Sequence, residues 1–111
     1  MNTFWKSIPW DAVTMVVTLF VWMGLRDAHA SADLTRKYNC VACHAETSKK
    51  VGPAYKDIAK KYVGRSDAAD YLAKKIRSGG SGVWGQMPMP PHPQVPESDA
   101  RAMATYVLGV K

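Results

Sequence analysis

Residues 40–44 read Cys40-Val41-Ala42-Cys43-His44, two cysteines two residues apart with a histidine directly after the second. This is the C-x-x-C-H pattern of covalent haem attachment. Each thiol can add across one haem vinyl group, and the two-residue gap matches the separation of the vinyls. The histidine then falls beneath the ring, where its imidazole can become the proximal iron ligand. Three other readings compete. A thioredoxin-like pair wants a βαβ context, which the downstream sequence lacks. A structural zinc site needs four ligands, and the chain has two cysteines and three histidines, with His29 in the N-terminal segment. A disulfide between Cys40 and Cys43 closes too small a loop to stabilise much. Covalent haem c, one per chain through Cys40 and Cys43, is the expectation.

Upstream, the sequence changes character. Lys6 lies in a short polar start, and Ala12 to Leu25 is a fourteen-residue run without charge. Arg26 and Asp27 follow, then Ala28-His29-Ala30, a small-x-small pattern suited to signal peptidase. The run is short for a bilayer span and typical of a secretory h-region. Residues 1–30 are therefore expected to be a signal peptide cleaved after Ala30, with a retained N-terminal anchor as the alternative. In both cases the domain, residues 31–111, lies outside the cytoplasm, and the periplasm is the expected location.

Without that segment both phenylalanines and three of the four tryptophans are gone, and Trp84 remains. A chain of roughly eighty residues can scarcely build a sufficient apolar core alone. No spare cysteine is available for a disulfide. A covalently held haem would supply a large apolar plate for short helices to pack around.

Downstream, the periodicity predicts helices and no strands. Ser31 to Asn39 carries Leu34 and Tyr38 on one face. After a polar loop and the turn Val51-Gly52-Pro53, Ala54 to Val63 places Tyr55, Ile58, Ala59 and Tyr62 at helical spacing, with Lys56, Lys60 and Lys61 elsewhere. Gly64 ends it. Ser66 or Asp67 can cap a third helix running to about Ser78, with Tyr71, Leu72, Lys75 and Ile76 facing inward. From Val83 to Pro96 five prolines and one glycine predict an extended loop. Glu97 or Ser98 opens a last helix with a stripe of Met103, Tyr106, Val107 and Val110. The fold class is all-α.

A haem with His44 below needs a second ligand or keeps a vacant site. Beyond residue 30 the candidates are Met87, Met89, Met103 and His92. Met103 belongs to the apolar stripe of the last helix. The other three lie in the proline-rich loop, which has few unfolded conformations to lose and can hold a weak thioether ligand at low entropic cost. These considerations do not choose among the three.

Val51-Gly52-Pro53-Ala54-Tyr55, then Gly82-Val83-Trp84-Gly85-Gln86-Met87-Pro88-Met89-Pro90-Pro91, and the closing Tyr106-Val107-Leu108 resemble the short bacterial class I cytochromes c of the c-551 (c8) type. The resemblance covers almost all of residues 31–111 and implies about four short helices around one haem. In that family the methionine of the Pro-Met-Pro-Pro segment binds iron, which implies Met89 here. It likewise implies that the Pro53 carbonyl accepts a hydrogen bond from the proximal histidine, fixing its orientation and raising its basicity. Trp84 would donate to a haem propionate, and Lys75 would face one. Met87 takes the place of an aliphatic residue that packs on the haem. The sequence departs from the family after Pro90-Pro91, where an asparagine able to contact the methionine sulfur is replaced by His92. That histidine either substitutes for the contact, making the potential sensitive to pH, or faces solvent.

An iron held by His44 and Met89 has no open site for substrate, and a soft sulfur donor favours the ferrous state. The resemblance thus implies a diffusible electron carrier and no enzyme. A membrane-anchored haem subunit, or a haem enzyme or gas binder with an open iron site, are the alternatives. Thirteen basic and seven acidic residues remain beyond residue 30, a net +6. The pairs Lys49/Lys50, Lys60/Lys61 and Lys74/Lys75 would form a basic rim, steering the protein to redox partners with acidic docking surfaces. Such contacts would be small and transient. Nucleic acid is not an expected partner, and a monomer is the default.

Overall fold

Among the described residues the first helix, α1, covers residues 30–37 and ends two residues earlier than its periodicity suggested. Asn39 ends it by taking a left-handed conformation, φ 59°, which asparagine tolerates better than most residues. Cys40–Ala42 follow as a single 3-10 turn. The structure, a computed structural model, describes residues 30–111, so the expected leader lies, but for Ala30, outside the described residues. No helix among the described residues is long and apolar enough to cross a membrane.

Three further helices follow. Helix α2 is Tyr55–Tyr62 and buries Tyr55, Ile58, Ala59 and Tyr62, the four apolar positions whose spacing predicted it. Its lysines lie on the outer face, as expected of an amphipathic surface helix. Helix α3 is Ala68–Ser78 with Asp67 at its N-cap. The Asp67 carboxylate does not cap it, however, because Arg65 claims both carboxylate oxygens. Helix α4 is Glu97–Leu108 and buries Ala100, Met103, Ala104 and Val107. Pro96 sets its start by supplying extended backbone, without a side-chain cap.

Helix α4 packs on both α2 and α3. The Arg101–Asp70 ion pair ties it to α3 at the surface, and Tyr38 Oη donates to Asp99 Oδ2 at 2.7 Å, tying it to the end of α1. Two apolar clusters result. One joins Tyr55, Ile58, Tyr62, Ala68 and Val107, and the other joins Ala73, Val95, Ala100, Met103 and Ala104. Leu72 packs against both. Val95, in the proline-rich loop, is 1 % exposed and plugs the second cluster. That loop forms neither a helix nor a strand element, as predicted, but it is not extended throughout: it bends at residues 82–86 and turns at His92–Val95, and Val95 belongs to the core.

No strand element occurs among the described residues, in keeping with the all-α expectation. There is one isolated antiparallel bridge, Gly80 to Met89. It determines where Met89 lies.

Candidate haem site

The segment around the C-x-x-C-H motif is wound by short-range hydrogen bonds. The amides of Cys43 and His44 both donate to the Cys40 carbonyl, at 3.1 and 3.0 Å. This turn brings the two thiols and the imidazole together on one stretch of backbone. The loop then folds back: Gly52 N–H donates to Cys43 O at 2.8 Å, and Tyr55 N–H to Ala45 O at 2.9 Å. Pro53 is thereby carried to His44, whose Nδ1 lies 2.7 Å from the Pro53 carbonyl oxygen.

That distance decides the tautomer. A proline carbonyl can only accept, so Nδ1 is the protonated nitrogen of this contact, which in a neutral imidazole leaves the lone pair on Nε2, the form a metal-binding imidazole needs. Two neighbours hold the ring. Tyr55 stacks behind it with centroids 5.6 Å apart and planes inclined by 22°. Gly52 leaves it room, since a Cβ there would lie 2.5 Å from His44 Cε1.

Met89 is placed by a different device. Gly80 N–H donates to Met89 O at 3.1 Å and Met89 N–H to Gly80 O at 2.8 Å. Gly79 makes the approach possible: its φ is +68°, and a Cβ on it would meet Met89 O at 2.4 Å. The Gly79-Gly80 pair that ends α3 is thus also the rail on which the methionine loop rests.

His44 and Met89 line the same two adjoining cavities. One is also lined by Pro53, Lys75, Trp84 and Met87, and by Tyr62 and Tyr71, which the sequence reading had not placed at the site. The other is lined by Cys40 with Ile58, Leu72, Ile76, Met103 and Val107, which come from both apolar clusters. A flat apolar group with carboxylates at one edge fits this space. The walls are apolar, a thiol lies at one side, imidazole and thioether both face it, and Lys75 is the one lysine, arginine, aspartate or glutamate on either cavity among the described residues. Lys75 is half-buried rather than an ordinary solvated helix residue. Trp84 is 42 % exposed at the mouth, with Lys61 Nζ 5.2 Å from its ring centroid.

The competing readings of the cysteines fare worse. Burial pushes the Cys40 thiol up, opposite to the shift that activates a disulfide-exchange nucleophile. Among the described residues no three of histidine, cysteine, aspartate and glutamate converge as a metal site.

His92 does neither of the things expected of it. It lines neither cavity, and it is half-buried, with Nδ1 sealed from solvent and without a partner. Its backbone N–H donates to the Ile76 and Arg77 carbonyls at 3.2 Å each, so it closes the C-terminal end of α3. The lysine pairs also divide. Lys61 and Lys75 lie at the cleft, whereas Lys74 lines a groove between α3 and α4 and Lys60 a groove beside the C-terminus.

Comparison with known proteins agrees with this architecture. The cytochrome c family model matches residues 28–111. The chain is 57% identical over 84 residues to cytochrome c-552 of Nitrosomonas europaea, covering 76% of this chain and 82% of that one. It is 54% identical over 82 residues to cytochrome c-552 of Hydrogenobacter thermophilus, covering 74% and 83%. The crystal structure of wild-type Nitrosomonas europaea cytochrome c552 superposes with a TM-score of 0.71, covering 72% of this chain and 99% of that one.

Proposed function

Because this chain belongs to the cytochrome c family, it is an electron carrier with one covalently bound haem c, and we propose that His44 and Met89 are its two iron ligands and Cys40 and Cys43 its attachment points. The haem supplies the one-electron ferric–ferrous couple. The remaining roles belong to the chain. The Nδ1–H of His44 donates to the Pro53 carbonyl, which presents Nε2 to the cleft and raises its donor strength. The Gly80–Met89 bridge holds the thioether opposite. Trp84 and Lys75 take the propionate edge as donors.

The observation that carries this reading is the joint lining of one cleft by a pre-oriented histidine and a backbone-pinned methionine. Rigid ligation on both sides keeps the geometry similar in the two oxidation states, which favours rapid electron transfer and leaves no position for substrate. The protein is on this reading a carrier and no enzyme. Its partners are redox proteins that meet the cleft mouth, where exposed Val83, Trp84 and Met87 lie near Lys61 and Lys75. An acidic surface around an apolar contact complements that face, with association slowing as salt rises. Residues 1–30 serve as an export signal and the domain works in the periplasm; the uncharged run from Ala12 to Leu25 and the Ala28-His29-Ala30 site support this.

The deciding experiment is the visible spectrum of the purified exported protein in both oxidation states. The ferric form is expected to show the weak long-wavelength charge-transfer band of sulfur-to-iron ligation, and Met89→Ala to lose it. A haem-loaded wild-type protein lacking the band, or a ferrous form that binds carbon monoxide readily, would remove Met89 from the iron.

A further inference from the structure

We propose that the groove between the outer face of α2 and the C-terminus is a second docking surface, which takes an amphipathic, mildly acidic segment of a partner protein. Docking there is independent of which groups bind the iron, and it leaves the cleft mouth free for electron transfer.

The apolar part of the groove is formed by Val63, Leu108 and Val110. Leu108 and Val110 are half-buried and pack against the first apolar cluster while also lining the groove. Val63 lies just past the end of α2 and is 82 % exposed, the highest value among the exposed large apolar side chains described. A single exposed valine is ordinary, because much of any protein surface is apolar. Here three apolar side chains adjoin in one concavity, the form in which exposed apolar surface marks an interaction site.

The charged part is formed by Lys56 and Lys60, one turn apart on α2, and by Lys111. The ion pairs among the described residues join Arg36 to Asp33, Arg65 to Asp67 and Arg101 to Asp70, so all three lysines are without a carboxylate partner. Asp57 is the one acidic side chain on the groove, and the terminal carboxylate belongs to Lys111. The positive excess is therefore small, and that balance selects the occupant. A second copy would set lysine against lysine, which like-charge repulsion opposes. An anionic membrane gains from a larger cluster of basic residues and from projecting apolar groups, whereas two of the three here are recessed. A segment with apolar anchors and a few carboxylates suits both parts, in the manner of an amphipathic helix laid in a groove.

Helix α2 separates this surface from the cleft. Ile58 and Tyr62 line the cleft, and Lys56 and Lys60 line the groove. Residues two apart on a helix point roughly 200° apart, so the two surfaces lie on opposite sides of α2. A partner holding the groove stays attached while its redox centre meets the cleft mouth. The second contact then becomes intramolecular, which raises its effective concentration without enlarging the electron-transfer contact itself.

The test uses the haem-loaded, isotope-labelled protein and a synthetic peptide in which leucines recur at helical spacing among alanines and glutamates. Titration at low salt, followed by nuclear magnetic resonance, is expected to move the amide signals of Lys56, Lys60, Val63, Val110 and Lys111. Those of Trp84 and Met87 should stay in place. The same peptide with lysine for glutamate should not bind. Val63→Ser, at an exposed position, should weaken binding roughly tenfold, the low end of what burying a valine contributes. Lys60→Glu should weaken it about fivefold, the upper end for an exposed ion pair. Neither variant should change the visible spectrum, which keeps the iron ligands and the docking surface separately readable. Equal affinity for the two peptides, shifts centred on Trp84 and Met87, or no binding would overturn the proposal. Cosedimentation with phosphatidylglycerol vesicles that both variants abolish, with no response to the peptide, would overturn it in favour of a membrane-facing surface.

Discussion

The histidine and methionine sides of the cleft hold their candidate ligands by opposite means. From Asn39 to Lys56 the chain closes on itself, with Cys43 and His44 bonded to Cys40, Gly52 to Cys43, Tyr55 to Ala45 and Lys56 to Glu46. Every one of these bonds spans ten residues or fewer, so the turn largely specifies itself. Met89 instead depends on Gly80, and the loop behind it depends on His92 reaching the end of α3 and on Arg77 Nε reaching Val95 O at 3.1 Å. The histidine side is closed by bonds within one loop, whereas the methionine loop, beyond its short bridge to Gly80, is fastened to α3 by bonds that span fifteen to eighteen residues. The candidate thioether ligand is thus held by the part of the fold that depends on the longer-range contacts.

The sharpest way to break this contrast is at Gly79. An alanine there would need a backbone conformation, φ +68° and ψ −166°, that is essentially reserved for glycine. Its Cβ would also press on Met89 O at 2.4 Å and Pro91 N at 2.8 Å, backbone atoms that cannot rotate away. Strain and overpacking together predict a loss of about 2–5 kcal/mol. Gly79→Ala should lose the sulfur charge-transfer band and gain carbon monoxide binding in the ferrous form, while keeping covalent haem. Retention of the band at wild-type strength would show that the bridge does not position Met89.

Gly52→Ala probes the other side and should have a smaller effect. Its Cβ would strike His44 Cε1 at 2.5 Å and both ring nitrogens within 3.0 Å. The obstacle here is a side chain that can tilt, and the φ of Gly52 is not left-handed. About 1–3 kcal/mol of overpacking is expected, seen as a lower melting temperature and a shifted Soret band while methionine ligation persists. If Gly52→Ala instead released Met89 and Gly79→Ala did not, the assignment of the two sides would be reversed.

How much was legible beforehand follows the same division. Cys40, Cys43 and His44 announce themselves because the chemistry requires them at fixed short spacing. The four helices were readable because each carries an apolar stripe at helical period. The choice of Met89 over Met87 and His92 was not available from residue types, since all three lie in one proline-rich loop; only the resemblance chose. What separates them in space is the bridge to Gly80, a contact between residues nine apart that no local pattern encodes. Gly79-Gly80 read as a helix stop, which it is, and its second use was invisible. His92 was judged by its chemistry, and its burial at the end of α3 depends on packing. Asp67 sits at the N-cap as predicted, but the competition from Arg65 two residues away takes its carboxylate. The lysine pairs looked like a rim in one dimension, but adjacent residues on a helix point about 100° apart.

Alkaline pH should give the mildest distinction between the two sides. Tyr55 and Tyr106 both belong to the histidine side, and burial pushes both hydroxyls up to about 12 from an ordinary 10.0, with the Glu46 hydrogen bond adding to the rise at Tyr106. A phenol with a raised value in the folded protein binds its proton more tightly there than in the unfolded chain. Its contribution to stability is therefore complete below pH 10 and is lost as the pH climbs through about 12. Melting temperature should accordingly hold steady up to about pH 10 and then fall. Tyr106→Phe removes one of the two titrating groups, so its melting temperature should fall less steeply over that interval. Tyr55→Phe should flatten the same slope without disturbing the contact between Tyr106 and Glu46. Parallel slopes in all three proteins would mean that alkaline loosening begins elsewhere, and the methionine loop, held by two backbone hydrogen bonds to Gly80, would then be the first part of the cleft to open.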